Sequence, residues 1–203
     1  MLDRIVLASN NPGKLREFEA LFRPLGIELV PQGALGVSEA DEPHVTFIEN
    51  ALAKARHASA ATGLPALADD SGLCVAALHG APGVYSARYA SLVGKAKSDV
   101  ANNAHLIEQL AAHPGAGERT ACYYCALVLV RRADDPLPIF AEGRWDGQIV
   151  DLPRGTHGFG YDPHFFIPAL GQTAAELSPE VKNEVSHRAR ALRQLIEKLG
   201  QTT

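Results

Sequence analysis

The sequence is poor in the features that build cross-linked, membrane-embedded or nucleic-acid-coating proteins. Its 203 residues include three cysteines, an odd number with no disulfide framework. Cys122 and Cys125 have C-x-x-C spacing, which suggests redox or zinc chemistry. Residues 120–132, however, are rich in Tyr, Val and Leu and read as a long strand, where positions three apart point to opposite faces. The two thiols therefore diverge, and a buried structural role is expected. No apolar run approaches the ~20 residues of a membrane span. The N-terminus enters a strand at once, with no secretory apolar region. The expectation is a cytoplasmic protein with no membrane partner. The net charge of −4 lacks the basic excess of a sequence-blind nucleic-acid binder, so no nucleic-acid partner is expected. A few local cations would still suffice for a small anion. Also missing are a Walker loop, the three-glycine dinucleotide fingerprint, H-E-x-x-H and the G-x-S-x-G elbow. Asp70-Ser71 suggests a hydrolase nucleophile, but nothing orients a base toward Ser71.

Hydrophobic residues make up 46% of the chain, enough for a substantial core, and one domain over residues 1–203 is expected. Near the start, Ile5-Val6-Leu7-Ala8 reads as a strand. Ser9-Asn10-Asn11-Pro12-Gly13-Lys14 follows, and Leu15, Phe18, Leu21, Phe22 and Leu25 then recur at helical spacing, which predicts a helix from about Lys14 to Leu25. A loop carrying a hydroxyl, two amides, a flexible glycine and a cation at a helix N-terminus meets the needs of a phosphate. Alone, the same loop is equally a plain turn with a solvated lysine.

Further along, Ile27–Val30 predicts a second strand, and residues 31–45 a loop with Glu39, Asp41 and Glu42. Thr46 and Glu49 form a capping-box pattern. The helix behind it is expected to bury Ile48, Ala51, Leu52, Ala55 and Ala58 and to carry Asn50, Lys54 and His57 opposite. A helix over about 99–112 should face Val100, Ala104, Ile107 and Leu110 inward, and a last helix spans about 186–199. Adjacent strands without intervening helices after residue 65 favour a mixed sheet in an α/β protein.

Three further groups carry candidate chemistry. Asp69-Asp70-Ser71-Gly72 reads either as an Asx turn or as a magnesium carboxylate with Glu42 as a second acid. On a strand, only one of the two aspartates faces a given site. In Gly158-Phe159-Gly160-Tyr161-Asp162-Pro163 an aromatic sits between glycines, as in a stacking platform for a base. Lys182 with Ser186-His187-Arg188 places cations in the first turn of the last helix, against its dipole. That group is either solvated surface or a donor set aimed at a ligand.

Together, Ser9–Lys14, Thr46-Phe47-Ile48-Glu49-Asn50-Ala51, Asp69–Leu73, Gly80–Tyr89, Phe159–Pro163 and Ser186–Arg188 follow the order and spacing of the inosine triphosphate pyrophosphatase (Ham1-like) family, which the chain resembles over nearly its whole length. The resemblance implies an α/β fold with an elongated mixed sheet flanked by helices, in two lobes with a central active-site cleft. It implies a homodimer that hydrolyses ITP, dITP and XTP to the monophosphate and pyrophosphate with Mg²⁺. Carried over by position, Ser9, Asn10, Asn11, Pro12, Gly13 and Lys14 would bind the triphosphate. Glu42 and Asp70 would hold the metal, and Asp70 would accept the proton. Ser71 would contact substrate, while Phe159, Gly160, Tyr161, Asp162, Lys182, His187 and Arg188 would hold the nucleoside. Pro12 is not required by the family pattern and removes one N–H donor from the loop. The competing readings are a nucleotide pyrophosphatase of another modified-base preference and a non-enzymatic nucleotide- or RNA-binding module.

Overall fold

The computed structural model describes residues 3–113 and 115–200. Strand β1 (Arg4–Leu7) leads into helix α1 (Pro12–Phe22). Asn11 caps that helix, its side-chain oxygen accepting the N–H groups of Gly13 and Lys14 at 2.9 and 3.1 Å. The helix therefore begins before Lys14, with Pro12 where its missing N–H costs no hydrogen bond. Strand β2 (Glu28–Pro31), helix α2 (Phe47–Thr62) and strand β3 (Ala66–Val75) follow. Then come helix α3 (Asp99–Leu110) and the long strands β4 (Thr120–Val130) and β5 (Ile139–Ile149). The short strands β6 (Phe165–Ile167) and β7 (Gln172–Thr173) precede helices α4 (Pro179–Val185) and α5 (His187–Gly200). The strands form one seven-stranded sheet in the order β2-β1-β3-β4-β5-β6-β7. Strand β1 runs parallel to β2 and β3, whereas β6 is antiparallel to β5 and β7, so the α/β sheet is mixed as expected.

Asp69-Asp70-Ser71-Gly72 is not a turn. It lies inside β3, flanked by the fully buried Leu67 and Leu73. A strand can carry two adjacent buried carboxylates here because each meets a cation. The capped start of α2 is as expected, with Thr46 at the N-cap, but its buried face is rotated. Ile48 is exposed and Asn50 is buried, because the Asn50 amide holds the backbone of His44 in both directions at 3.0 and 3.1 Å. Helix α3 departs in the same way. Val100 is 80% exposed, whereas Asn102 and His105 are buried. Asn102 accepts the Ala90 N–H at 2.9 Å, and His105 packs on Tyr89.

The chain divides into two compact units. The first comprises the chain through Asp70, then Cys125–Gly143 and the chain from Arg188 onward. Its core is built on Ile5, Leu7, Phe18, Phe22, Leu127 and Leu192. The second comprises Ser71–Tyr124 and Arg144–His187, around Leu73, Leu106, Trp145, Tyr161 and Phe165. Cys125 belongs to the first unit and bonds Asp69 at 3.0 Å, while Cys122 belongs to the second and hydrogen-bonds Cys74. The C-x-x-C thiols thus diverge, and all three cysteines are free. No described helix is long and apolar enough to cross a membrane.

Candidate functional site

In the first unit, the β1–α1 connection offers Ser9, Asn10 and Asn11 at the surface and buries Gly13. The Ser9 hydroxyl oxygen accepts the Asn11 N–H at 3.3 Å. Lys14, in the first turn of α1, forms an ion pair with Asp69 of β3. Asp69 is completely enclosed. Burial opposes its ionisation, but the charges of Lys14 and Arg188, with hydrogen bonds from Lys14 and Cys125, outweigh that cost and hold the carboxyl far below the usual range. Arg188 opens the C-terminal helix and is buried between two acids, 2.6 Å from Glu17 and 3.5 Å from Asp69.

Asp70 points the other way from β3. Its Oδ1 lies 2.8 Å from the Lys54 ammonium, and its Oδ2 lies 3.5 Å from the Asn50 amide. Lys54 also reaches Glu42 at 2.9 Å, so both predicted metal carboxylates converge on one cationic group. Burial works against the charge of Lys54, yet Asp70 and Glu42 together raise its pKa. The pair is lopsided. Burial raises the Asp70 pKa, and Lys54 and Lys14 only partly offset it, with Glu42 adding to the rise.

This donor set suits a hard divalent ion in one way. Two carboxylates already share a positive charge, and Mg²⁺ commonly takes one or two protein carboxylates with water and substrate phosphates completing its shell. Among the described residues no group of three or more His, Cys, Asp or Glu side chains is arranged to hold a metal. A metal here would therefore depend on substrate oxygens.

In the second unit, Ser71 lies within β3 and is half-buried. The 158–162 segment is a tight turn in which the Asp162 carboxylate accepts the Phe159 N–H at 2.9 Å and the Lys182 ammonium at 2.6 Å. The same ammonium stands 5.2 Å from the centre of the Phe159 ring. A Cβ on Gly158 would collide with the Asp162 carboxylate, so glycine is required there. Gly160 completes the turn, and Tyr161 is buried with its hydroxyl donating to the Ser86 carbonyl at 2.8 Å. Lys182 comes from α4, a helix whose cap is Ser178. The His187 ring is buried and lies flat against Tyr123, with centroids 4.8 Å apart and an interplanar angle of 10°.

Ser9–Lys14, Glu42, Asp70 and Arg188 are thus gathered with Asp69 and Lys54 in the first unit. Ser71, Phe159–Asp162, Lys182 and His187 belong to the second. Glu17, Asn50, Cys125 and Tyr123 were not among the predicted site residues. Glu17 and Asn50 carried a signal, since Glu17 follows Lys14 by three helical positions and Asn50 precedes Lys54 by four. Cys125 and Tyr123 gave none, because the residues they meet, Asp69 and His187, are distant in the sequence.

Fold and side-chain chemistry together define a mixed-sheet α/β protein with a cluster of cations and carboxylates at the head of its first helix. The chain belongs to the Ham1 family, whose model matches residues 5–198. It is similar to a Burkholderia pseudomallei protein named dITP/XTP pyrophosphatase, with 72% identity over 198 residues, 98% of this chain and 94% of the relative. Among solved structures it is similar to a HAM1 protein from Coxiella burnetii, at 48% identity and a TM-score of 0.88, covering 99% of this chain and all 100% of that one. The Staphylococcus aureus Ham1 protein is 37% identical with a TM-score of 0.84, over 98% of this chain and 100% of that one.

Proposed function

We propose that this protein hydrolyses non-canonical purine nucleoside triphosphates, dITP, XTP and ITP, to the monophosphate and pyrophosphate, removing them from the nucleotide pool. The observation that carries the reading is the Glu42–Lys54–Asp70 cluster with Lys14 beside it: paired acids and amines of the kind a polyphosphate and its counter-ion require. The full-length similarity to proteins named dITP/XTP pyrophosphatase supports it.

In this reading the amides and hydroxyl of Ser9–Gly13 and the ammonium groups of Lys14 and Lys54 offset the ~4 negative charges of the triphosphate. Mg²⁺ held by Glu42 and Asp70 would supply charge neutralisation and a more acidic water. Asp70 would be a positioned acceptor for the proton of the attacking water rather than a strong base, because a cation on the same carboxylate lowers its pKa. Attack falls on the α-phosphorus, and pyrophosphate leaves. Ser71 contacts the substrate. The Phe159 ring stacks on the base, and Lys182, steered by Asp162, donates to the purine 6-oxo group. An adenine 6-amino group would face that donor unpaired, and mismatches of this kind reach ~10⁴-fold. His187, packed on Tyr123, and Arg188, held by Glu17, complete the nucleoside side. The reading includes one functional domain, a homodimer and a cytoplasmic location, which suits three free thiols.

Product analysis tests it. Incubation with dITP, XTP or ITP and Mg²⁺ should release pyrophosphate and the monophosphate, with dATP a poor substrate. Release of orthophosphate would place the chemistry at the terminal phosphate and overturn the reading.

A further inference from the structure

Phe159 lies between two glycines in left-handed conformation, Gly158 at φ +77° and Gly160 at φ +63°. Glycine is permissive on both sides of φ, so local backbone preference does not set the angle of the ring between them. Something outside the turn must do so. Asp162 supplies half of the restraint: its carboxylate takes the Phe159 N–H at 2.9 Å, and its own N–H reaches the Phe159 carbonyl at 3.3 Å. The next peptide is held from a different element. Asp99, in the first turn of α3, accepts the Gly160 N–H at 2.8 Å. Asn103, one turn later on the same face, donates Nδ2 to the Gly160 carbonyl at 2.9 Å. Two side chains four positions apart thus grip both polar groups of a single glycine. The Asn103 side chain keeps this grip although its own Oδ1 is buried without a hydrogen-bond partner, a cost that a purely local arrangement would avoid.

The geometry points to Asp99 and Asn103 as positioning residues that set the Phe159 ring for base recognition through Gly160. The inference rests on the reading of Phe159 as the stacking face. It places a specificity determinant in residues 91–118, where the sequence carried no motif. Neither side chain needs to touch the base. They restrict the turn to the conformation in which the ring and the Asp162–Lys182 pair face one way, so less ordering is left for binding to supply.

The test is steady-state kinetics on Asp99→Ala, Asn103→Ala, Asn103→Asp and Asp99→Asn, alone and combined with Phe159→Ala. Each lost hydrogen bond should raise KM for dITP roughly five- to tenfold, with kcat within about twofold of the parent, since an interaction shared by ground and transition states moves KM alone. Asp99→Asn keeps an acceptor for the Gly160 N–H and should behave like the parent. Asn103→Asp, nearly isosteric, turns the donor into a repelling acceptor and should match Asn103→Ala, which guards against a folding effect. In the Phe159→Ala background the added KM effect of Asp99→Ala should disappear, because the ring it positions is gone. An unchanged KM in Asp99→Ala and Asn103→Ala, a matching loss of kcat, or additivity with Phe159→Ala would overturn the inference and leave the stacking reading standing. A Phe159→Ala enzyme with parental KM would overturn both.

Discussion

Asp69 and Asp70 are adjacent, equally natural as acids, and set to opposite tasks by what lies on each side of β3. Asp69 meets Lys14, Arg188 and the Cys125 thiol, and stays charged although fully enclosed. Asp70 meets Lys54 but shares it with Glu42, and its burial is not fully offset. A carboxyl whose folded pKa is raised contributes stability that is fully present below its unfolded pKa and is lost as the pH rises through the folded value. Above the folded value, ionisation of Asp70 therefore costs stability that a neutral side chain would keep. Asp70→Asn should lower kcat for dITP by about 10²-fold or more, while its melting temperature at pH 7.5 equals or exceeds the parent's. Calorimetry and pyrophosphate release on one preparation check both. A variant that keeps turnover within a few-fold removes Asp70 from proton transfer. The acid pair was legible in the sequence as residue types, and so was the rule that only one member faces a given partner. The identity of each member's neighbours was not, because Lys14, Lys54 and Arg188 come from three helices that only tertiary packing brings to β3.

At the scale of elements, what depended on local chemistry was readable and what depended on packing was not. The capped start of α2 follows from Thr46, whose side chain acts within three residues, whereas α1 begins two residues ahead of the start expected near Lys14, behind an Asn11 cap. The burial faces of α2 and α3 depart from hydrophobic periodicity because Asn50 and Asn102 turn inward to satisfy backbone groups of distant loops. β3 reads as strand, turn and strand until the ion pairs that let it continue are seen. Helix α4 and strands β6 and β7 are short and left little periodic signal. The 158–162 turn is the element whose glycines announced it most directly. Gly158→Ala forces a Cβ into the Asp162 carboxylate at a left-handed φ of +77°. The strain should cost about 1–3 kcal/mol. Because Asp162 also positions Lys182, KM for dITP should rise more than kcat falls. Urea unfolding alongside kinetics separates the two effects, and a Gly158→Ala protein with parental KM would show that this turn does not set the base-binding face.

For the molecule as a whole, Asp69 links the first unit's packing to pH. Its carboxyl, held far below the usual range, contributes stability that is fully present above the unfolded pKa near ~4 and is lost as the pH falls toward the folded value. Lys14 from α1 and Arg188 from α5 both close on it, so one buried group ties two helices to β3. Asp69→Asn preserves shape but leaves two cations facing a neutral amide. Breaking a buried pair in this way costs about 3–5 kcal/mol. For a chain of this length that corresponds to a melting temperature lower by roughly 6–20 °C at pH 7.5. The deficit should shrink below pH ~4, where the parent progressively loses the same contribution. Thermal melts of both proteins across pH 3–8 read this directly: the curves should converge on the acid side. A gap that stays constant down to the lowest pH would mean that the loss comes from packing rather than from the charge on Asp69.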